Sequence, residues 1–180
     1  MTVAIEEALK LNLGGIGEGF LNGGIDGFKT VDLREGADFQ RDASDLSCFA
    51  DGSVDTVYAS NILEHWSLNK TVDVLKEWYR VLKPGGWLYV SVPDFHRAVE
   101  MYQKNGLTEW LRFHLWGDQK HPLNYHYTCF TLATLSKDLI DAGFRDVKRM
   151  GKWPFPVKDG SQNVDNIDRK LISLNVGALK

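Results

Sequence analysis

The stretch from Asn69 to Pro93 constrains this chain most. Val72, Leu75, Tyr79 and Leu82 recur at helical spacing, with Asn69 or Thr71 available as a cap and Pro84-Gly85-Gly86 as a stop. Trp87 to Val92 then reads as a buried strand closed by Pro93. Strand, helix and strand in that order imply a right-handed crossover into a parallel sheet, because a right-twisted strand feeding a right-handed helix packs back onto the sheet only that way. The fold class that follows is α/β.

Upstream, short apolar runs alternate with turn signals, and Leu11 to Leu13, Phe28 to Leu33, Phe39 to Ala43 and Val54 to Ser60 read as four strands. Downstream, a helix is expected from Phe95 to Gln103. A second one carries Leu132, Leu135, Leu139 and Ala142 and ends at Gly143. A strand should follow near Asp146 to Met150, and Leu171 to Val176 alternates as a half-buried last strand. From about residue 105 to 130 the periodicity fades while Trp110, Phe113, His114, Trp116, His121, Tyr125, His126 and Tyr127 accumulate. That segment reads as an aromatic, histidine-rich insertion over the edge or mouth of the sheet, within one domain spanning residues 1–180.

Composition narrows the partners. A length of 180 residues suits a single domain with a substantial core. A formal charge of −3 gives no chain-wide attraction to phosphate backbones or anionic lipid, so small or uncharged partners are expected and nucleic acid is not. Oligomeric state is not legible. Cys48 and Cys129 form no Cys-x-x-Cys unit, and the N-terminus lacks a basic region followed by a long apolar run. No stretch approaches the roughly 20 apolar residues needed to span a bilayer. The expectation is a cytoplasmic protein. His114, His121, His126 and Cys129 match no ordinary structural zinc spacing, so no metal is expected.

In an open parallel sheet, ligands bind outside the carboxyl ends of the strands, and four segments fall there. Asn12-Leu13-Gly14-Gly15-Ile16-Gly17-Glu18-Gly19 runs from a strand into glycines that can take unusual backbone angles; alone it suits a tight turn as well as a cofactor cradle. Asp32, in Val31-Asp32-Leu33 about 20 residues on, stands where an acid accepts both hydroxyls of an adenosine ribose, or is a solvated strand-end aspartate. Asp42-Ala43 closes the next strand and can accept from the amine of adenine, or cap a turn. Ala59 to His65 leaves the fourth strand beside the middle of such a cofactor, or is an ordinary connecting loop.

In this order the segments resemble the class I S-adenosylmethionine-dependent methyltransferases, particularly small members whose first motif reads Leu-Asn-Leu-Gly. The most specific parts are Asp51 to Ser60, Leu63-Glu64-His65, and Arg80-Val81-Leu82-Lys83-Pro84-Gly85-Gly86-Trp87-Leu88. The resemblance implies a doubly wound, mostly parallel seven-stranded sheet with its last strand antiparallel. It also implies S-adenosylmethionine as cofactor, with its amino-acid end near Asn12, Gly14, Gly15 and Gly17, its ribose on Asp32 beside Leu33, and its adenine near Asp42 and Ala43. The catalytic face would lie beyond Asn61 and His65. Two departures stand out: about 14 residues between Gly17 and Val31 are too few for a full first helix with its turns, so that helix must be shortened, and Ile16 falls where a second glycine is usual.

A sulfonium is already an activated methyl donor, so the protein mainly has to align a nucleophile and exclude water. A hydroxyl or amine acceptor still loses a proton, and His65, Asp94 and His126 are the candidate bases. Trp110, Trp116, Tyr125 and Tyr127 would form a lid over the acceptor, or a small core. The leading expectation is methyl transfer to a small-molecule or sugar-like acceptor. The alternatives are a non-catalytic binding module of the same fold and an NAD-dependent oxidoreductase, since glycines followed by Asp32 suit that cofactor too.

Overall fold

Seven strands form one sheet in the order β3-β2-β1-β4-β5-β7-β6. They are β1 (Lys10–Leu13), β2 (Lys29–Asp32), β3 (Phe39–Gln40), β4 (Val54–Ser60), β5 (Leu82–Pro93), β6 (Arg145–Arg149) and β7 (Ser173–Leu179). Four helices accompany them: α1 (Leu68–Val81), α2 (Phe95–Asn105), α3 (Glu109–Trp116) and α4 (Leu132–Asp141). The computed structural model describes residues 7–15, 25–164 and 170–180. Gly17, Gly19, Ile16 and the shortened first helix lie outside the described residues.

Neighbours from β3 through β5 pair in parallel, while β7 pairs antiparallel with both β5 and β6, so β7 alone runs against the rest. The chain builds outward from β1 to β2 and β3, then crosses to β4 on the other side of β1. That reversal of strand order opens a crevice beyond the carboxyl ends of β1 and β4.

Alternation along each strand separates the two faces of the sheet. Leu11, Leu13, Val57, Ala59, Leu88, Val90, Leu174 and Val176 point to one face and pack with Val74, Leu75 and Trp78 of α1 and Leu135 and Leu139 of α4. On the other face Tyr58 and Tyr89 join Ile25 and Trp153, with Phe28 and Phe155 against them. Buried polar groups tie that second layer down. The Tyr58 hydroxyl donates to Asp159 Oδ2 at 2.5 Å, Trp153 Nε1 donates to Ser161 Oγ at 2.8 Å, and Asn175 Nδ2 donates to the Ser161 carbonyl at 2.8 Å. Burial and the neighbouring Asp159 charge push the Tyr58 hydroxyl's pKa upward, so it stays a donor.

Several elements differ from the sequence reading. The helix expected from Asn69 starts at Leu68 with Ser67 at the cap position, and Thr71 instead returns its hydroxyl to the Ser67 carbonyl. Pro84-Gly85-Gly86 is not a stop between helix and strand: α1 passes directly into β5 at Leu82, and these residues form an irregular opening of the strand where its register against β4 shifts. Gly85 takes a φ of +82°, and its N–H donates to the Lys180 carbonyl. A Cβ on Gly86 would come within 2.9 Å of the Lys83 carbonyl oxygen, which only glycine avoids. The last strand is buried on both faces rather than on one, because it lies between β5 and β6 instead of at the edge. Within the insertion, Glu109 to Trp116 is helical, capped by the Thr108 hydroxyl on Leu111 N. Its periodicity is faint because it buries only Leu111 and His114.

Candidate active site

The crevice at the strand ends opens into a cleft of about 1140 Å³, with strand-end loops on one side and the insertion on the other. Gly14, Asp32, Leu33, Asp42, Ala43 and Asn61 line the first side. Gly14 takes φ +68°, its N–H donates to the Val31 carbonyl at 2.8 Å, and a Cβ there would meet Ile62 Cδ1 at 2.8 Å. Glycine is therefore required for the turn to pass Ile62 while its main chain faces the cleft. Asn12 and Gly15 do not line the cleft. Asn12 is buried, and a Cβ on Gly15 would fall 2.6 Å from its Nδ2, so this pair closes the end of β1 by packing.

Asp32 ends β2 with its side chain 6 % exposed. Arg34 folds back on it: Nε donates to Oδ1 at 3.0 Å, Nη2 to Oδ2 at 2.8 Å, and the Arg34 backbone N–H also reaches Oδ1. Asp42 follows β3 and uses Oδ1 to accept from Ser44 N and Oγ, both at 2.7 Å. The loop carrying it is held by α1: Trp78 Nε1 donates to the Ala43 carbonyl at 2.8 Å, Glu77 accepts from Leu46 N, and Arg80 donates to the carbonyls of Leu46 and Phe49. Two aspartates at and just beyond the ends of adjacent strands, with glycine backbone beside them, are an acceptor set that fits an adenosine. A carboxylate offers about four lone-pair sites, so ribose hydroxyls would share Asp32 with Arg34 or displace its half-exposed side chain.

The other side of the cleft is built on the 3-10 turn Leu63–His65 after β4. Asn61 enters it with φ +50°, and its N–H donates to the Ser91 carbonyl. The Glu64 carbonyl accepts from Tyr127 N at 2.8 Å, which lays the strap from residue 117 to 130 across the turn. His65 and His126 thereby meet edge to face, with ring centroids 4.9 Å apart. His65 Nδ1 lies 3.0 Å from the Tyr125 carbonyl and His126 Nδ1 3.2 Å from the His114 carbonyl; opposite a carbonyl, each Nδ1 is the protonated one. The Glu64 side chain is completely buried, and neither carboxylate oxygen has a hydrogen-bond partner among the described residues. Burial alone pushes its pKa up to about 8. Burial likewise holds His126 and His114 down to about 4 and lowers His65. His114 stacks on Trp110, both lining the cleft.

Of the three candidate bases, His65 and His126 line the cleft and Asp94 does not. Asp94 is buried, caps α2 through the N–H groups of His96 and Arg97, and receives Arg149 Nη2 at 2.6 Å, so its oxygens serve the helix end. His121 and Cys129 are exposed and do not gather with His126. What the histidine spacing concealed is that His126 meets Glu64 and His65 instead. Glu64 and Arg34 are the site residues that pattern reading missed. The signal for Glu64 was present in Leu63-Glu64-His65, but its burial is a tertiary fact.

No curated protein matches the chain in sequence. A family model described as a methyltransferase domain matches residues 28–90, from β2 into β5. Among solved structures, the chain is similar to a SAM-dependent methyltransferase from Archaeoglobus fulgidus, at 16 % identity over 96 % of this chain and 86 % of that one, with a TM-score of 0.59. A SAM-dependent methyltransferase from Methanosarcina mazei gives 18 %, 98 %, 94 % and 0.55 for the same quantities. The 1,6-didemethyltoxoflavin-N1-methyltransferase of Burkholderia thailandensis, solved with its substrate and S-adenosylhomocysteine, gives 16 %, 97 %, 72 % and 0.56. The family match runs through the segments that carry Asp32, Asp42 and Asn61, and the chain shares its fold with these methyltransferases.

Proposed function

We propose that the chain is an S-adenosylmethionine-dependent methyltransferase that acts on a small-molecule or sugar-like acceptor held against the Glu64, His65 and His126 side of the cleft. The observation that carries the reading is one continuous cleft with an adenosine-type acceptor set at one end and half-buried histidines under an aromatic strap at the other. When bound, S-adenosylmethionine supplies a methyl group on a positive sulfur; as the acceptor oxygen or nitrogen bonds to the methyl carbon, the sulfur keeps the electron pair of the broken bond and the acceptor sheds a proton.

The chain's own part is binding and alignment. Asp32 would hold the ribose hydroxyls, Asp42 and Ala43 the adenine edge, Leu33 its face, and Gly14 and Asn61 the middle of the donor. Asn12 and Gly15 would fix the loop from below. Trp110, Phe113, Tyr125 and Tyr127 would wall the acceptor from water, and the ring nitrogens of His65 and His126 not committed to carbonyls are the groups that can receive its proton. Among the described residues no helix is long and apolar enough to cross a membrane, and both cysteines are free, which suits a reducing cytoplasmic setting. Incubation with methyl-labelled donor and a panel of hydroxyl and amine compounds tests the proposal. Label transfer to a small acceptor is expected; label transfer only to protein or nucleic acid would contradict it.

A further inference from the structure

We propose that Glu64, His65 and His126 form a binding site for one divalent cation of the zinc or cobalt kind at the acceptor end of the cleft. One ligand atom from each residue lies within 4.8 Å of the other two. Two imidazoles and one carboxylate are the protein ligand set of a catalytic zinc site, which keeps a further position open for water or substrate. All three residues border the cleft, so a ligand there would reach such a position.

Three independent features point the same way. First, each histidine commits Nδ1 to a backbone carbonyl, Tyr125 for one and His114 for the other. This is the outer support that metal-binding histidines use, and it leaves each Nε2 as the unprotonated nitrogen. Second, Glu64 is fully buried with both oxygens unpartnered among the described residues. His126 Nε2 approaches Oε1 only to 4.0 Å, beyond hydrogen-bond reach. A buried carboxylate left this way is costly, and a cation beside it removes the cost. Third, Tyr127 N and Thr128 N both approach the Glu64 carbonyl, fixing the register between the strap that carries His126 and the turn that carries the other two. Ligands around tetrahedral zinc stand about 3.3 Å apart, so the three groups draw together by roughly 1 Å on loading. A single proton shared between Glu64 and one imidazole is the rival arrangement, and it would satisfy one carboxylate oxygen while leaving the other bare.

The cation's use rests on the methyl-transfer reading above: with both Nε2 atoms ligated, it would hold the acceptor oxygen or nitrogen beside the donor methyl and acidify it, so that the proton leaves to water in place of the histidines; the binding itself does not rest on that reading. The test is titration of the chelator-stripped full chain with Co²⁺, read by visible absorption, and with Zn²⁺ by calorimetry, with S-adenosylhomocysteine binding measured in parallel. One equivalent per chain is expected, weakened at least tenfold in Glu64→Gln and in His126→Gln while circular dichroism stays unchanged. In the unmodified chain, Zn²⁺ should also shift the ¹⁵N resonances of the His65 and His126 Nε2 atoms, a readout that does not depend on either variant folding. Absence of saturable one-to-one binding, unmoved Nε2 resonances, or affinity unchanged in the folded variants would overturn the inference. Cation binding lost with S-adenosylhomocysteine binding intact would break this inference alone; the converse would break only the methyl-transfer reading.

Discussion

The two ends of the cleft hold their carboxylates in opposite ways. At the adenosine end, Asp32 is gripped by the Arg34 fork and Asp42 by Ser44, so both acids have donors and remain at the surface of the cleft. At the acceptor end, Glu64 is fully buried and its carboxylate has no hydrogen-bond donor among the described residues, with the His126 imidazole 4.0 Å away. Acids that are satisfied by the protein can recognise a neutral ligand through hydrogen bonds, because their charge is already stabilised. An acid that the protein leaves unsatisfied asks for a proton or a cation. On the proposed reading, the same cleft joins a recognition end whose acids are already satisfied to a reactive end whose charge balance would be completed by what binds there.

Ranked by size, four substitutions probe that contrast. Asp32→Ala should cost about 1.5–3 kcal/mol of S-adenosylhomocysteine binding, roughly ten- to a hundredfold, by removing a charged acceptor. Calorimetry should show this with cation binding at Glu64 unaltered, and a parallel loss of both would mean that the two ends are not separable. Gly14→Ala puts an alanine at φ +68° with its Cβ against Ile62, so thermal unfolding should move down by the equivalent of about 1–2 kcal/mol. Tyr58→Phe removes the donor to Asp159 on the far face of the sheet and should cost about 1 kcal/mol, about 2–4 °C in melting temperature, without changing cofactor affinity. A changed affinity there would show that the aromatic layer governs the cleft. Asp42→Asn should have the smallest effect, about 0.5–1 kcal/mol of S-adenosylhomocysteine binding, since Ser44 can still be accepted by the amide oxygen.

The adenosine end was legible because strand ends are local. A short apolar run closing on an acid marks Asp32 and Asp42 without tertiary knowledge, and the Asp51 to Ser60 and Arg80 to Leu88 segments fall inside the methyltransferase-domain match. α1 and α4 were legible as helices from apolar residues at helical spacing; α4 buries the expected Leu135 and Leu139, whereas α1 turns Val74, Leu75, Trp78 and Val81 inward and leaves Val72 and Tyr79 of the stripe read from spacing only partly buried. The reactive end was not, since His126 reaches Glu64 and His65 across some sixty residues through two backbone hydrogen bonds that no pattern encodes. Asp94 shows the converse: an acid after a strand and before a helix reads as cap before catalyst, and here the N–H groups of α2 hold it. β7 misled because alternation between Leu174, Val176 and their polar neighbours looks like one wet face, whereas Ser173 and Asn175 are buried under the residue 150–164 layer.

The central claim is that the recognition end binds the adenosine portion of S-adenosylmethionine through Asp32. Titrating S-adenosylhomocysteine into the purified chain, with NAD as the competitor in a parallel thermal-shift series, measures it directly. A single saturable site, lost or weakened at least tenfold in Asp32→Ala and accompanied by a raised melting temperature that NAD does not reproduce, is the expected result. No binding of S-adenosylhomocysteine, or stabilisation by NAD in its place, would contradict the account.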